Sequence, residues 1–192
     1  MRKNWQKFLI FLLILIIPTA ISWGLYLAAG GPQPEHAEHE GGGSSPGGMT
    51  MSSKFPEELG GMHQAAFLEG DAAKAEISQL HQGKVAVEEG YIVTYSDNTY
   101  AAKIWISKSS STNEAATLVE NMTKRMQSNP TVFSAPQGQT VAGKTVFFTT
   151  GQGMKNYYYQ SDTWVIWIGT TLPDDRSGSF LEQAVNGLKP GS

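Results

Sequence analysis

The chain has 192 residues, 40% of them hydrophobic, with 14 basic side chains, 17 acidic ones and no cysteine. That is room for one ordinary domain with extensions, and the missing cysteine excludes disulfides, thiolate metal sites, cysteine catalysis and acylation through cysteine. Arg2, Lys3 and Lys7 give the first seven residues +3, while the remaining 11 basic and 17 acidic groups give −6, which argues against a nucleic-acid partner.

The segment 8–29, "FLIFLLILIIPTAISWGLYLAA", carries no charge. As a helix it spans about 33 Å, enough to cross a hydrocarbon core. Basic residues precede it and acidic ones follow, so residues 1–7 are expected in the cytoplasm and the remainder outside it. Trp5, Trp23 and Tyr26 sit where interfacial aromatics belong, and Pro18 falls mid-span. A cleaved signal peptide is the rival reading, with Ala28-Ala29-Gly30 as a cleavage site. Trp23, Leu25 and Tyr26 extend the apolar run past a usual signal core and favour a retained single-pass anchor. Both readings place the rest of the chain outside the cytoplasmic membrane, and the retained anchor holds it at the plasma membrane.

Residues 30–53 read "GGPQPEHAEHEGGGSSPGGMTMSS". With almost no apolar side chain to bury, the segment cannot offset its ordering entropy, and 30–54 is expected to be a flexible tether. It holds His36, His39, Met49 and Met51, with His63 beyond. Imidazoles and thioethers together suit copper, so these five form the candidate metal set, against the plainer reading of a polar linker with incidental histidines.

A single domain is expected over 55–190. Ala73, Ile77 and Leu80 share a face and predict a helix from Gly70 to Gly83. Strands are expected over 84–89, 91–96 and 100–107, where Lys103 and Trp105 alternate with Ile104 and Ile106. Ser111 and Glu114 have capping-box spacing, and Ala115, Leu118, Met122 and Met126 trace the stripe of a second helix ended by Asn129-Pro130. Further strands are expected over 132–134, 140–141, 144–150, 154–160 and 163–169. Pro173-Asp174-Asp175 starts a third helix with Phe180, Leu181, Ala184 and Leu188 on its apolar face. The order implies an α+β fold, an antiparallel sheet with helices packed mainly on one face.

The densest aromatic stretch is "YYYQSDTWVIWI", residues 157–168. Taking Ser161-Asp162 as the hairpin tip pairs Tyr159 with Trp164, Tyr157 with Ile166 and Lys155 with Ile168. The other side of the pleat pairs Gln160 with Thr163, Tyr158 with Val165 and Asn156 with Trp167. The first set reads as core. Tyr158, Trp167 and Asn156 remain as the candidate binding surface, set against the alternative that aromatics are simply good strand formers.

No catalytic set converges. There is no G-x-S-x-G, "GQGMKN" lacks a third glycine and precedes a strand, and Glu57-Glu58 and Asp174-Asp175 are explained by helix starts. His81 suits the C-terminal end of the first helix. Asn121-Met122-Thr123 matches a glycosylation sequon but falls inside the expected second helix.

The stretches "FPEELGGM", "AEISQLHQG", "YIVTYSDN…KIWIS", "EAATLVENMTKRM" and "GQGMKNYYYQSDTWVIWI" resemble a group of prokaryotic membrane-anchored or extracytoplasmic α+β domains of unknown function. In that group a helix ending in Leu-His-Gly precedes a hairpin, and a Gly-x-Gly turn precedes an aromatic strand. Here Gln82 interrupts the Leu-His-Gly run. The resemblance implies one α+β module and brings no activity, cofactor or catalytic residue with it.

The expectation is a non-enzymatic binding or accessory module, anchored in the lipid bilayer through 8–29, with another membrane or extracytoplasmic protein as partner and no cofactor. Copper handling through the tether is the alternative, and a hydrolase built on His63 or His81 the second.

Overall fold

The computed structural model describes residues 51–81, 85–130 and 132–191. The expected anchor, the tether up to residue 50, and His36, His39 and Met49 lie outside the described residues. Among the described residues no helix is long and apolar enough to cross a membrane.

The elements in chain order are β1 (Glu58–Leu59), β2 (Met62–Glu69), α1 (Gly70–Leu80), β3 (Gly90–Ser96), β4 (Ala101–Lys108), α2 (Thr112–Ser128), β5 (Gln137–Val141), β6 (Lys144–Gly151), β7 (Met154–Ser161), β8 (Trp164–Thr170) and α3 (Asp174–Gly187). The strands form one eight-stranded sheet in the order β1-β2-β3-β4-β8-β7-β6-β5, with every neighbouring pair antiparallel. The expected α+β class therefore holds.

Local chemistry accounts for the joints. Gly70, with φ of 68°, turns the chain directly from β2 into α1, a conformation glycine adopts without steric cost. Ser111 Oγ accepts from Glu114 N at 3.1 Å and caps α2, while the Glu114 carboxylate accepts from Ser110 N. The β5–β6 and β6–β7 hairpins turn on Ala142-Gly143 and Gln152-Gly153, all four residues at positive φ as two-residue type I′ turns require.

Helices cover both faces of the sheet. α1 packs Ala73 and Ile77 on Ile92, and α2 packs Ala115 and Val119 on Tyr158 and Val165. Both belong to one face. α3 lies on the other, where Phe180, Leu181, Ala184 and Val185 close the largest core over Val93, Ile104, Ile106, Tyr157, Tyr159, Ile166 and Ile168. Packing mainly on one face thus holds for two helices and fails for the third, because β3, β4, β7 and β8 are apolar on both sides of the pleat.

Three further expectations change. β2 was not anticipated: "MHQAAFLE" is rich in helix formers, and pairing with β3 overrides that preference. Residues 85–89 form no strand, although Glu88 N donates to Lys108 O and Lys108 N to Glu89 O. The span 132–134 contributes only an isolated bridge from Phe133 to Gly151.

Candidate binding surface

The register of the sheet lines up one residue from each of seven strands in a transverse row: Leu68, Ile92, Trp105, Trp167, Tyr158, Phe147 and Gly138. The row runs across the two-helix face. Three of its aromatic members stack face on face, Tyr158 with Trp167 at 5.1 Å and 7°, and Phe147 with Tyr158 at 5.2 Å and 17°. Offset-stacked pairs of this kind contribute ~0.5–1.5 kcal/mol each beyond their buried area.

The hairpin tip is Asp162-Thr163, not Ser161-Asp162, and Asp162 takes φ of 52°. Tyr159 therefore faces Ile166, Tyr157 faces Ile168, and Tyr158 faces Trp167. The shift is two residues along the partner strand. Every side chain stays on the face that the sequence assigned to it, and only the partners change.

Two of the three candidate surface residues are inside. Tyr158 is wholly buried beneath α2, its hydroxyl 2.8 Å from Thr123 Oγ1. Burial pushes its phenol pKa up, against the Thr123 hydrogen bond. Asn156 is buried too, its Nδ2 donating to Gly151 O and Met154 O and its Oδ1 accepting from Trp167 Nε1 at 3.2 Å. α2 above the hairpin keeps Tyr158 from a partner, and the β6–β7 turn together with Trp167 occupies the Asn156 amide. Trp167 alone is half-buried, held between Tyr158 and an edge-on Phe133 at 5.5 Å.

What stays half-open lies between α1 and α2. Trp105 sits directly across β4 from Trp167 and is likewise half-buried. Its Nε1 and Lys103 Nζ converge on one oxygen, Glu76 Oε1, at 3.0 and 2.7 Å. The ammonium also lies 5.1 Å from the Trp105 ring centre. This is a neutral, partly desolvated rim at the Trp105 indole. Gly169 forms the floor beside them: a Cβ there would stand 3.5 Å from Trp105, 3.4 Å from Met154 Sδ and 3.3 Å from Asn156 Oδ1. Sequence reasoning did not find Glu76 or Phe133. Glu76 has no local signature, but Gly151 inside a strand signals a close approach, and it is Phe133 that approaches.

Two open clefts flank this face. One of about 590 Å³ lies between the β6–β7 turn and the start of α3, lined by Thr150, Met154, Lys155, Thr171 and Leu172. Lys155 there donates to Leu172 O and pairs with Asp174. The other, about 370 Å³, runs along the outer side of α2 over Phe147, with Val119, Thr123 and Gln160.

Of the candidate metal ligands, only Met51 and His63 are described, both exposed, with His63 on β2 next to the buried Met62. Among the described residues no group of three His, Cys, Asp or Glu side chains could hold a metal ion. His81 ends α1, half-buried, and burial followed by the charge of Arg125 lowers its pKa. Neither described histidine lines either cleft.

Comparison of the chain with protein-family models, with curated proteins and with solved structures finds no match.

Proposed function

We propose that the chain is a membrane-anchored extracytoplasmic binding module, a small subunit or accessory of a larger membrane assembly, and not an enzyme. The observation that carries this reading is the uncharged 22-residue segment 8–29 followed by a Gly/Pro/Ser-rich tether of about the same length. A folded domain on such a tether samples a shell beside the bilayer at high effective concentration toward neighbouring membrane proteins.

The contact surface is the half-open part of the two-helix face, Trp105 and Trp167 with Lys103 and Glu76 at the rim. Half-buried tryptophans with satisfied ring nitrogens offer large rigid area at small entropic cost, and the paired charges favour a neutral apolar side chain from the partner. Tyr158 and Asn156 act beneath that surface by fixing the Trp167 ring.

The test uses the full chain. It should resist carbonate extraction from membranes, be degraded by protease added to intact cells, and retain a cross-linked partner in mild detergent. Trp105→Ala should lose the partner while the Trp105→Phe chain keeps it. Carbonate-soluble, protease-resistant chain, or a partner indifferent to Trp105, would overturn the reading.

A further inference from the structure

We propose that β5 is a homodimer edge, and that two copies of this chain join their sheets through antiparallel β5–β5 pairing centred on Gln139.

The two edges of the sheet differ in kind. On the β1–β2 side, β1 is a two-residue stub, the β2 register shifts between Gln64 and Ala66, and Lys54, Glu57, Glu58 and Glu69 bring charge to the edge. Short strands, irregular register and charge are the devices that stop sheets from adding strands. β5 has none of them. Its residues Gln137–Thr140 are exposed, and no charged residue occurs between Arg125 and Lys144.

The backbone of β5 is available for pairing. The two-residue turn at Ala142-Gly143 makes Val141 and Lys144 a hydrogen-bonded pair, so Gln139 and Gln137 also bond inward to β6. Gly138 and Thr140 then direct their N–H and C=O groups outward. Neither group has a hydrogen-bond partner among the described residues. An added strand is the ligand that such groups take, because its own amides repeat at the same spacing.

The strand is complementary to itself in only one register. Centring on Gln139 pairs 137 with 141 of the second copy, 138 with 140 and 139 with 139, and it joins outward groups to outward groups at Gly138 and Thr140. A register centred on Gly138 would oppose Thr140 to Pro136, which has no N–H. One centred on Thr140 would oppose Gly138 to Ala142, which is turned away at φ of 46°. The remaining register closes on a two-fold axis and stops at two copies.

Side chains agree with that register. The transverse aromatic row ends at Gly138, where a Cβ would lie 3.6 Å from Phe147 Cε1. In the dimer, Thr140 of the second copy continues the row and lays its methyl beside that half-buried ring. On the opposite face the two Gln139 amides meet at the axis and can hydrogen-bond to one another. This inference does not depend on the membrane anchor or on the tryptophan surface.

The chain has no native cysteine, so one introduced thiol reads the axis directly. In the expected register 139 faces 139 as a non-hydrogen-bonded pair with Cα atoms ~4.5 Å apart, within disulfide range. Full-length Gln139→Cys in detergent should oxidise to a covalent dimer at least tenfold faster than Gln152→Cys, which sits exposed in the β6–β7 turn. Sedimentation of the full chain should show a concentration-dependent dimer. Gln139→Lys, an exposed change that sets two like charges face to face, should weaken that dimer at least tenfold at low salt and less so at 1 M salt. A monomer at every concentration, equal cross-linking at both thiols, or a dimer indifferent to Gln139→Lys would each overturn the proposal, the last by placing the contact elsewhere in the chain.

Discussion

Tyr158 and Trp167 stack at 5.1 Å with their rings 7° from parallel, as direct cross-strand partners of β7 and β8. The pair is fixed from both sides: Thr123 of α2 meets the tyrosine hydroxyl, and Asn156 accepts from the indole N–H. Thr123 Oγ1 also donates to Val119 O, so it keeps a partner if the tyrosine hydroxyl is removed. The tyrosine hydroxyl has no such second partner among the described residues. Tyr158→Phe should therefore cost about 1 kcal/mol, the net worth of one hydrogen bond, whereas Thr123→Val should cost ~1–3 kcal/mol by orphaning a buried hydroxyl. Urea unfolding of the two variants measures the difference, and equal losses would mean that the hydroxyl finds another partner.

The neighbouring tyrosine should behave the opposite way. Tyr159 is fully buried on the α3 face and its hydroxyl has no hydrogen-bond partner among the described residues, so burial alone drives its pKa far up. Tyr159→Phe removes an unsatisfied group while keeping the ring that fills the core. Stability should hold or rise by up to about 1 kcal/mol. A clear loss in the same urea titration would show that the hydroxyl is satisfied in solution.

The faces of the aromatic hairpin were legible in the sequence and its partners were not. Alternation assigns Tyr157, Tyr159, Trp164, Ile166 and Ile168 to one side of the pleat, and they do form core there. The exact tip decides the pairing, and Ser161, Asp162 and Thr163 are all acceptable turn residues, so a tip placed one residue early shifts every partner by two. Which aromatics stay open could not be read from alternation at all. Tyr158 and Trp167 share a face, and only the position of α2, set by long-range packing, buries one more than the other. β2 was missed for a related reason: its helix-forming composition yields to the ladder with β3.

Glycine positions separate steric need from tolerance. At Gly151 a Cβ would sit 2.3 Å from Phe133 Cδ1 and 2.6 Å from Val132 O, too close without moving the backbone. Gly178 lies in α3 with nothing within 4 Å of its Cβ direction. Gly151→Ala should destabilise by roughly 2 kcal/mol or more through overpacking and displace Phe133 from Trp167, while Gly178→Ala should stabilise by ~0.5–1 kcal/mol through helix propensity. Thermal melting ranks the two, and quenched or shifted tryptophan emission should accompany only the first. Gly178→Ala failing to raise Tm would contradict the exposed helical setting.

At high pH the buried phenols should limit stability. Tyr95 donates to Pro56 O and burial raises its pKa to about 12, with Tyr158 also shifted up. An unfolded tyrosine ionises near pH 10 while these keep their protons, so the unfolded state binds fewer protons and stability falls as pH rises from about 10 toward 12. Unfolding free energy measured between pH 9 and 11.5 should decline, and Tyr95→Phe should flatten the decline. An unchanged slope in that variant would place the linkage elsewhere.

The acid side turns on His81. Burial, and then the charge of Arg125, hold its pKa below the ordinary value of 6.5, so the fold favours the neutral imidazole. In the unfolded chain the same group takes up a proton near pH 6.5. Between that value and the lower folded pKa the unfolded state binds more protons, and stability drops as pH falls through the window. One group can contribute at most about 1.4 kcal/mol per pH unit there. His81→Gln should remove this component and leave the carboxylate-driven losses at lower pH, where Asp97, held down mainly by the Tyr100 and Thr99 amides and then by Arg176, must protonate. Urea midpoints of both chains at pH 7.5, 6.5 and 5.5 decide it: parallel curves would mean that His81 is solvated in the folded state and that the α1 terminus does not bury it.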